Sequence, residues 1–169
     1  MNANQTQEIR QRSDIRKIED ITRGIIGEVC WGTHLSYGDE FRFEIGHKIP
    51  DPILKNKEKG SWSLGTRASH WSLYLSNEKL VESTDELELV RQKIHLMDEN
   101  RISSFKIDYP KLGLEIMFIN KMILRVRPTW DNDSQLAHWD LMVPNNMFLK
   151  VGPASTWSFH RSDIPIYNG

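Results

Sequence analysis

The chain has one cysteine, Cys30, in 169 residues. No internal disulfide can staple it, and no Cys-x-x-Cys pair is present to build a thiolate metal centre. It also lacks a charged-then-apolar leader and any apolar run of membrane-spanning length, so a reducing cytoplasm is the expected compartment. Net charge is -1, with Lys and Arg spread along the chain. The basic stripe that neutralises phosphates is missing, and neither nucleic acid nor a membrane is an expected partner.

Several chemistries are excluded in the same way. No Walker-type or dinucleotide-type glycine pattern follows a strand, which removes kinase and dehydrogenase readings. No His-Glu-x-x-His or calcium-loop motif occurs, and His34, His47, His70, His138, His160 and Cys30 have no ligand spacing, so neither metal nor cofactor is expected. Asp131 and Asp133 lie in a polar turn that lacks the glycine and terminal Glu of a calcium loop. Cys30 and His34 stand four apart in a strand-like segment, too far along a strand for a nucleophile to reach its base. Cys30 reads as a small buried hydrophobe, and no catalytic residue is assigned.

What is present is a well-charged globular composition, 38% hydrophobic and 27% charged, at a length where one domain over residues 1–169 is expected. Residues 1–12 are polar and read as a frayed terminus or a poorly packed first helical turn. Ile15, Ile18, Thr22 and Ile25 recur at helical spacing behind Ser13, a candidate N-cap, with Gly24 and Gly27 at the stop. Short alternating strands follow, and the run from Lys55 to Gly60 reads as a solvated hairpin loop. Ser83 and Glu86 form a capping-box pattern ahead of a second helix of about four turns carrying Leu87, Val90, Ile94 and Met97. Strands resume to the end. The class is α+β, rich in antiparallel strands.

Two segments recur in order. Gly38–Phe43 aligns with Gly113–Phe118, and the run from His70 to Asn77 aligns with that from His138 to Asn145. Each pair follows a helix, so the chain reads as two related helix-plus-strands units, about 13–82 and 83–160, forming one β-rich domain. Period two places Trp71, Leu73 and Leu75, and Trp139, Leu141 and Val143, on the core face. His70, Ser72 and Tyr74, and His138, Asp140 and Met142, then share the opposite face. The two histidines are expected to approach each other if the units pack about a twofold axis.

Among six tryptophans, Trp130 and Trp157 have polar sequence neighbours. With Tyr74 they are candidate anchors for a protein partner. His70, His138 and Asp140 are candidate ligand contacts in a cleft between the units.

Gly60-Ser-Trp62-Ser-Leu64, followed by His70-Trp71-Ser-Leu73, resembles strands of small bacterial toxin-immunity proteins. The resemblance implies a protein that inhibits a toxin or effector by stoichiometric binding, with no catalysis of its own; it carries over no functional residue. Such inhibitors of nucleases present an acidic face, and the nearest candidate here is Glu82, Asp85, Glu86 and Glu88. The alternatives are a small-molecule-binding domain or enzyme with its cleft between the two units, and a module that forms a homodimer through an open strand edge.

Overall fold

The stripe of Ile15, Ile18, Thr22 and Ile25 is buried, as its spacing requires. In a computed structural model that describes residues 6–130 and 135–162, helix α1 (Arg16–Thr22) is flanked by 3-10 turns at Arg12–Ile15 and Arg23–Ile25. Ser13 is not the cap. The turn starts at Arg12, with Gln11 extended at the N-cap position, and the Asp14 carboxylate accepts the backbone N–H groups of Arg10 and Gln11. Helix α2 (Leu87–Lys93) runs into a 3-10 turn at Ile94–Met97. The expected capping box does not form. Glu86 holds the N-cap position, while the Ser83 hydroxyl accepts the Trp71 backbone N–H. Ser83 is therefore committed to a strand that lies 12 residues back.

Among the described residues twelve strands form two antiparallel sheets. Along the chain they are β1 (Gln7–Glu8), β2 (Cys30–Leu35), β3 (Phe41–Pro50), β4 (Glu58–Thr66), β5 (Ser69–Leu75) and β6 (Glu78–Glu82), then β7 (Ile102–Ile107), β8 (Leu114–Phe118), β9 (Met122–Pro128), β10 (Trp139–Val143), β11 (Met147–Val151) and β12 (Thr156–Arg161). The first sheet has the order β1-β12-β11-β10-β4-β3-β2, and the second β6-β5-β9-β8-β7. The chain thus leaves the first sheet after β4 and returns to it at β10. The β4·β10 and β5·β9 pairings join the early strands to the late ones. The architecture is β-rich, with two short helices.

Period-two alternation decides what lies between the sheets. Phe41, Phe43 and Ile45 face inward with Leu64, Trp139, Leu141 and Leu149 from the first sheet, and Trp71, Leu73, Leu114, Ile116 and Leu124 do so from the second. All belong to one buried cluster, whose aromatic centre includes Phe41 against Trp71 at 4.8 Å between ring centroids. Full burial of one such side chain contributes about 1.5–3 kcal/mol. The first residues are not frayed throughout: β1 pairs with β12, and Ile9 is buried. A strand of two residues is too short to leave a periodic signal.

One edge of each sheet meets the other at a seam. Val29 and Arg101 form an antiparallel bridge. Around it the Gly27 N–H donates to the Ile102 carbonyl (2.8 Å), Ile102 to Glu28 (2.9 Å), Cys30 to Asn100 (2.8 Å) and Glu99 to Cys30 (2.8 Å). Helix α1 and the 3-10 turn after it contact β7, α2 contacts β6, and the 3-10 turn after α2 contacts β2. Among the described residues no helix is long and apolar enough to cross a membrane.

Candidate functional site

The outward face of the first sheet carries polar side chains that the register brings into rows. Arg42 stands opposite Gly65, Gly65 opposite Asp140, and Asp140 opposite Lys150. Gly65 has no side chain in the way, so the Arg42 guanidinium crosses the strand to Asp140; a Cβ there would overlap that guanidinium. Arg42 donates to one carboxylate oxygen of Asp140 at 2.9 Å and Arg67 to the other at 3.0 Å. Arg67 also reaches Glu40 (3.1 Å), and Arg42 reaches the Ser63 hydroxyl (3.3 Å). Only 3% of the Asp140 side chain is exposed. Two guanidinium groups thus supply the partners that an enclosed carboxylate needs.

The next row is Glu44, Ser63, Met142, Phe148 and His160. Phe148 packs edge-on against His160, with ring centroids 5.3 Å apart. Trp31 extends the row at β2, opposite Glu44, with the Lys48 ammonium over its ring. Met142, Phe148 and Trp31 are half-buried. The ion pairs and hydrogen bonds of Arg42, Glu44, Ser63 and Asp140 run to residues of β3, β4 and β10 and to Arg67, just past β4. This leaves a pre-ordered face with aromatic and thioether groups beside fixed charges.

At the foot of β10 the face runs into a cavity of about 490 Å³ lined by His138, Trp130, Leu136, Lys150, Pro153 and Thr156, among others. His138 is buried, and its Nε2 lies 2.9 Å from the Ala154 carbonyl oxygen. A carbonyl only accepts, so Nε2 carries the proton and Nδ1 is a bare acceptor. Nδ1 is enclosed and has no hydrogen-bond partner among the described residues. Burial holds the His138 pKa below its ordinary value and favours the neutral ring, partly opposed by the Ala154 carbonyl, which favours the protonated one. Trp130 lies over that ring at 4.9 Å between centroids, its own N–H donating to the Lys111 carbonyl (3.0 Å). On the other side Gly152 is obligatory, because its φ is +91° and a Cβ would sit 2.7 Å from the His138 ring.

The residues singled out in the sequence separate here. His138 and Asp140 lie two apart on the outward face of the first sheet, and both are buried. His70 is exposed on β5 of the second sheet, its Nδ1 3.4 Å from the Ser83 hydroxyl. The two histidines keep separate partners, and among the described residues no hydrogen bond joins them. His70 lies on β5 and His138 just ahead of β10, in different sheets, although Ser69, next to His70, donates its hydroxyl to the His138 carbonyl at 2.7 Å. Tyr74 is half-buried on the same strand as His70, under the Arg125 guanidinium. Its hydroxyl is held below the ordinary range by hydrogen bonding to Ser72 and by Lys79 and Arg125. Trp157 is buried, since β12 is flanked by β11 and by β1, and so it is not an exposed anchor. Trp130 is half-buried on His138.

Within the acidic run, Glu82 pairs with Lys79, Glu88 pairs with Arg91, and Asp85 accepts the Glu82 backbone N–H. Asp131 and Asp133 lie outside the described residues. Among the described residues no three metal-ligating side chains converge. Arg42 and Arg67, the partners of Asp140, were not singled out from sequence. They stand 98 and 73 residues from it, and only the β4·β10 pairing brings them together.

No protein-family model matches the chain, and no curated protein or solved structure matches it either. The geometry alone therefore carries the functional reading. Both features described above, the pre-ordered face and the His138 cavity, lie on the same side of one sheet.

Proposed function

We propose that this is a binding protein of the immunity or inhibitor type, which blocks a toxin or effector protein by covering it with the outward face of its first sheet. The observation that carries the reading is the row of Trp31, Met142 and Phe148 beside the fixed Arg42–Asp140–Arg67 network. Aromatic, Met and Arg side chains are the types enriched at protein interfaces, and groups already held in place lose little entropy on binding. The face carries both signs of charge. Its complement is accordingly a partner of mixed charge, in contrast to a uniformly basic nuclease.

The same proposal covers the origin of the fold as two related units within one domain. The order helix, three-stranded meander, hairpin occurs from α1 to β6 and again from α2 to β11. Pairing β4 with β10 and β5 with β9 places each hairpin in the sheet of the other meander. The seam supports the relation: a 72-residue offset turns the Cys30-to-Asn100 hydrogen bond into the Ile102-to-Glu28 bond, and the Glu99-to-Cys30 bond into the Gly27-to-Ile102 bond. Gly27 and Glu99, equivalent under that offset, both have positive φ. The register also amends the first aligned pair. Phe41 stands opposite Leu35 and Leu114 opposite Ile107, so Leu114, two residues before Ile116, is the match for Phe41.

The test is recovery of the tagged protein from its native host, alongside Phe148→Glu and Met142→Arg variants. A protein retained in stoichiometric amount by the wild type and lost from both variants, with their thermal unfolding unchanged, is the expected result. The same eluate from all three would refute the role of this face.

A further inference from the structure

The His138 cavity combines three energetically unfavourable features that packing alone does not require. The first is the bare Nδ1 acceptor, enclosed and without a donor among the described residues, a costly state for a buried polar atom. The second and third are backbone conformations. Trp130, which covers the His138 ring, has φ +53°, and Ala154, whose carbonyl orients that ring, has φ +52°. Neither is glycine, and for a bulky aromatic residue the left-handed region is an outlier. Costs of this kind persist where a site is held ready for something else, and ligand clamps are a usual place for them.

Here the two strained residues hold one imidazole from two directions, and that imidazole lines the cavity. The remaining lining says what would enter. Lys150 brings an ammonium group, and among the described residues no carboxylate lies within ion-pair distance of it. Its charge is felt at His160, where it acts with burial to hold the pKa below the ordinary value. Trp130, Leu136 and Pro153 offer flat and apolar surface, and Leu136 is more than half exposed. Thr156 already donates its hydroxyl to the Pro153 carbonyl. The volume lies within the range of sites for small organic molecules, about 300–1,000 Å³.

We propose that this cavity binds a small organic acid. Its carboxylate pairs with Lys150, its hydroxyl or N–H group donates to Nδ1 of His138, and its apolar body lies against Trp130 and Leu136. Because Nδ1 is enclosed, entry displaces the Trp130 ring, and binding relieves the unpaired acceptor as it does so. The inference is independent of the protein-binding reading: the Phe148→Glu variant keeps the cavity.

The experiment is a titration of the full chain, with 13C-labelled histidine rings observed by NMR, against a panel of aryl and alkyl hydroxy acids and N-acyl amino acids. Each acid is matched with the counterpart lacking its hydroxyl or N–H and with its neutral amide. At least one acid should saturate at submillimolar concentration with a shift of the His138 ring signal. Loss of its donor group, and separately its conversion to the amide, should each weaken binding about tenfold or more. Lys150→Met should do the same while leaving the unfolding transition in place, and Trp130→Ala should weaken the complex without abolishing the carboxylate preference. If no acid moves the His138 signal up to several millimolar, or if Lys150→Met binds as tightly as wild type, the assignment is overturned.

Discussion

Asp140 and Arg42 meet across an intervening strand, the guanidinium passing over Gly65 to reach the carboxylate at 2.9 Å. The pair is enclosed, with 3% of the Asp140 side chain and 21% of that of Arg42 exposed. Removing the carboxylate leaves two guanidinium groups without their shared acceptor. Breaking such a pair costs about 3–5 kcal/mol, against about 0–1 for an exposed one. Asp140→Ala should therefore lower the urea midpoint by that larger class of effect, whereas Glu88→Ala, which removes an exposed pair, should leave it nearly unchanged. Gly65→Ala should weaken the same network by displacing Arg42, and combined with Asp140→Ala it should cost less than the sum of the two.

The pH dependence of stability follows from His138. Its folded pKa lies below the ordinary 6.5 because burial penalises the imidazolium. As pH falls through about 6.5 the unfolded chain takes up a proton that the folded chain refuses, so the contribution of this group to stability is present at neutral pH and is lost on acidification. His160 is lowered in the same direction by burial and by Lys150. Unfolding free energies measured between pH 7.5 and pH 5.5, roughly one unit either side of that value, should decline. His138→Gln should flatten the decline in part, leaving the His160 share. An unchanged slope would mean that the folded protein accepts the proton at His138 after all.

Cys30 offers a separate check of the core. Its thiol is buried, and burial, with Asp98 nearby, pushes its pKa well above the ordinary range. Thiolate is the reactive form, so the native protein should resist a thiol reagent at pH 8 over the time in which the urea-unfolded chain reacts completely. Fast labelling of the native state would place the seam around Val29 and Arg101 among the first regions to open.

Much of the architecture was legible because it rests on short-range periodicity. The helical stripe from Ile15 to Ile25 and the alternation of Trp71 and Leu73, or Trp139 and Leu141, are local signals, and all of these residues are buried. Pairing partners were not legible. Ser83 looked like a helix cap because Glu86 follows it three residues later, but its hydroxyl serves β5. Trp157 looked exposed because its sequence neighbours are polar, yet β1 and β11 flank its strand. The residues around the candidate site divide in the same manner. His138 and Asp140 were visible as a pair on one face, while Arg42, Arg67, Lys150 and the strained Trp130 and Ala154 come from strands and turns that only the tertiary pairing assembles.

The exchange of hairpins between the two sheets leads to a prediction about the chain itself. If the chain is cut between Asp85 and Glu86, the first fragment keeps β2–β3–β4 but loses β10, and the second keeps β7–β8–β9 but loses β5. Each fragment then carries an open inner edge at β4 or β9 and a hairpin with no sheet to join, with Phe41 and Trp71, or Trp139 and Leu124, left to water. Open edges of this kind favour pairing with another chain. Expressed alone, each fragment should be unfolded or self-associated. Mixed after refolding, the two should form a 1:1 complex with the far-ultraviolet spectrum of the intact chain, less stable than it by the lost linkage and dependent on concentration. A fragment that folds alone as a monomer with a cooperative transition would show that one meander and its own hairpin close without the exchange. The pairings β4·β10 and β5·β9 would then be a consequence of tethering and would not be what holds the two halves of the chain together.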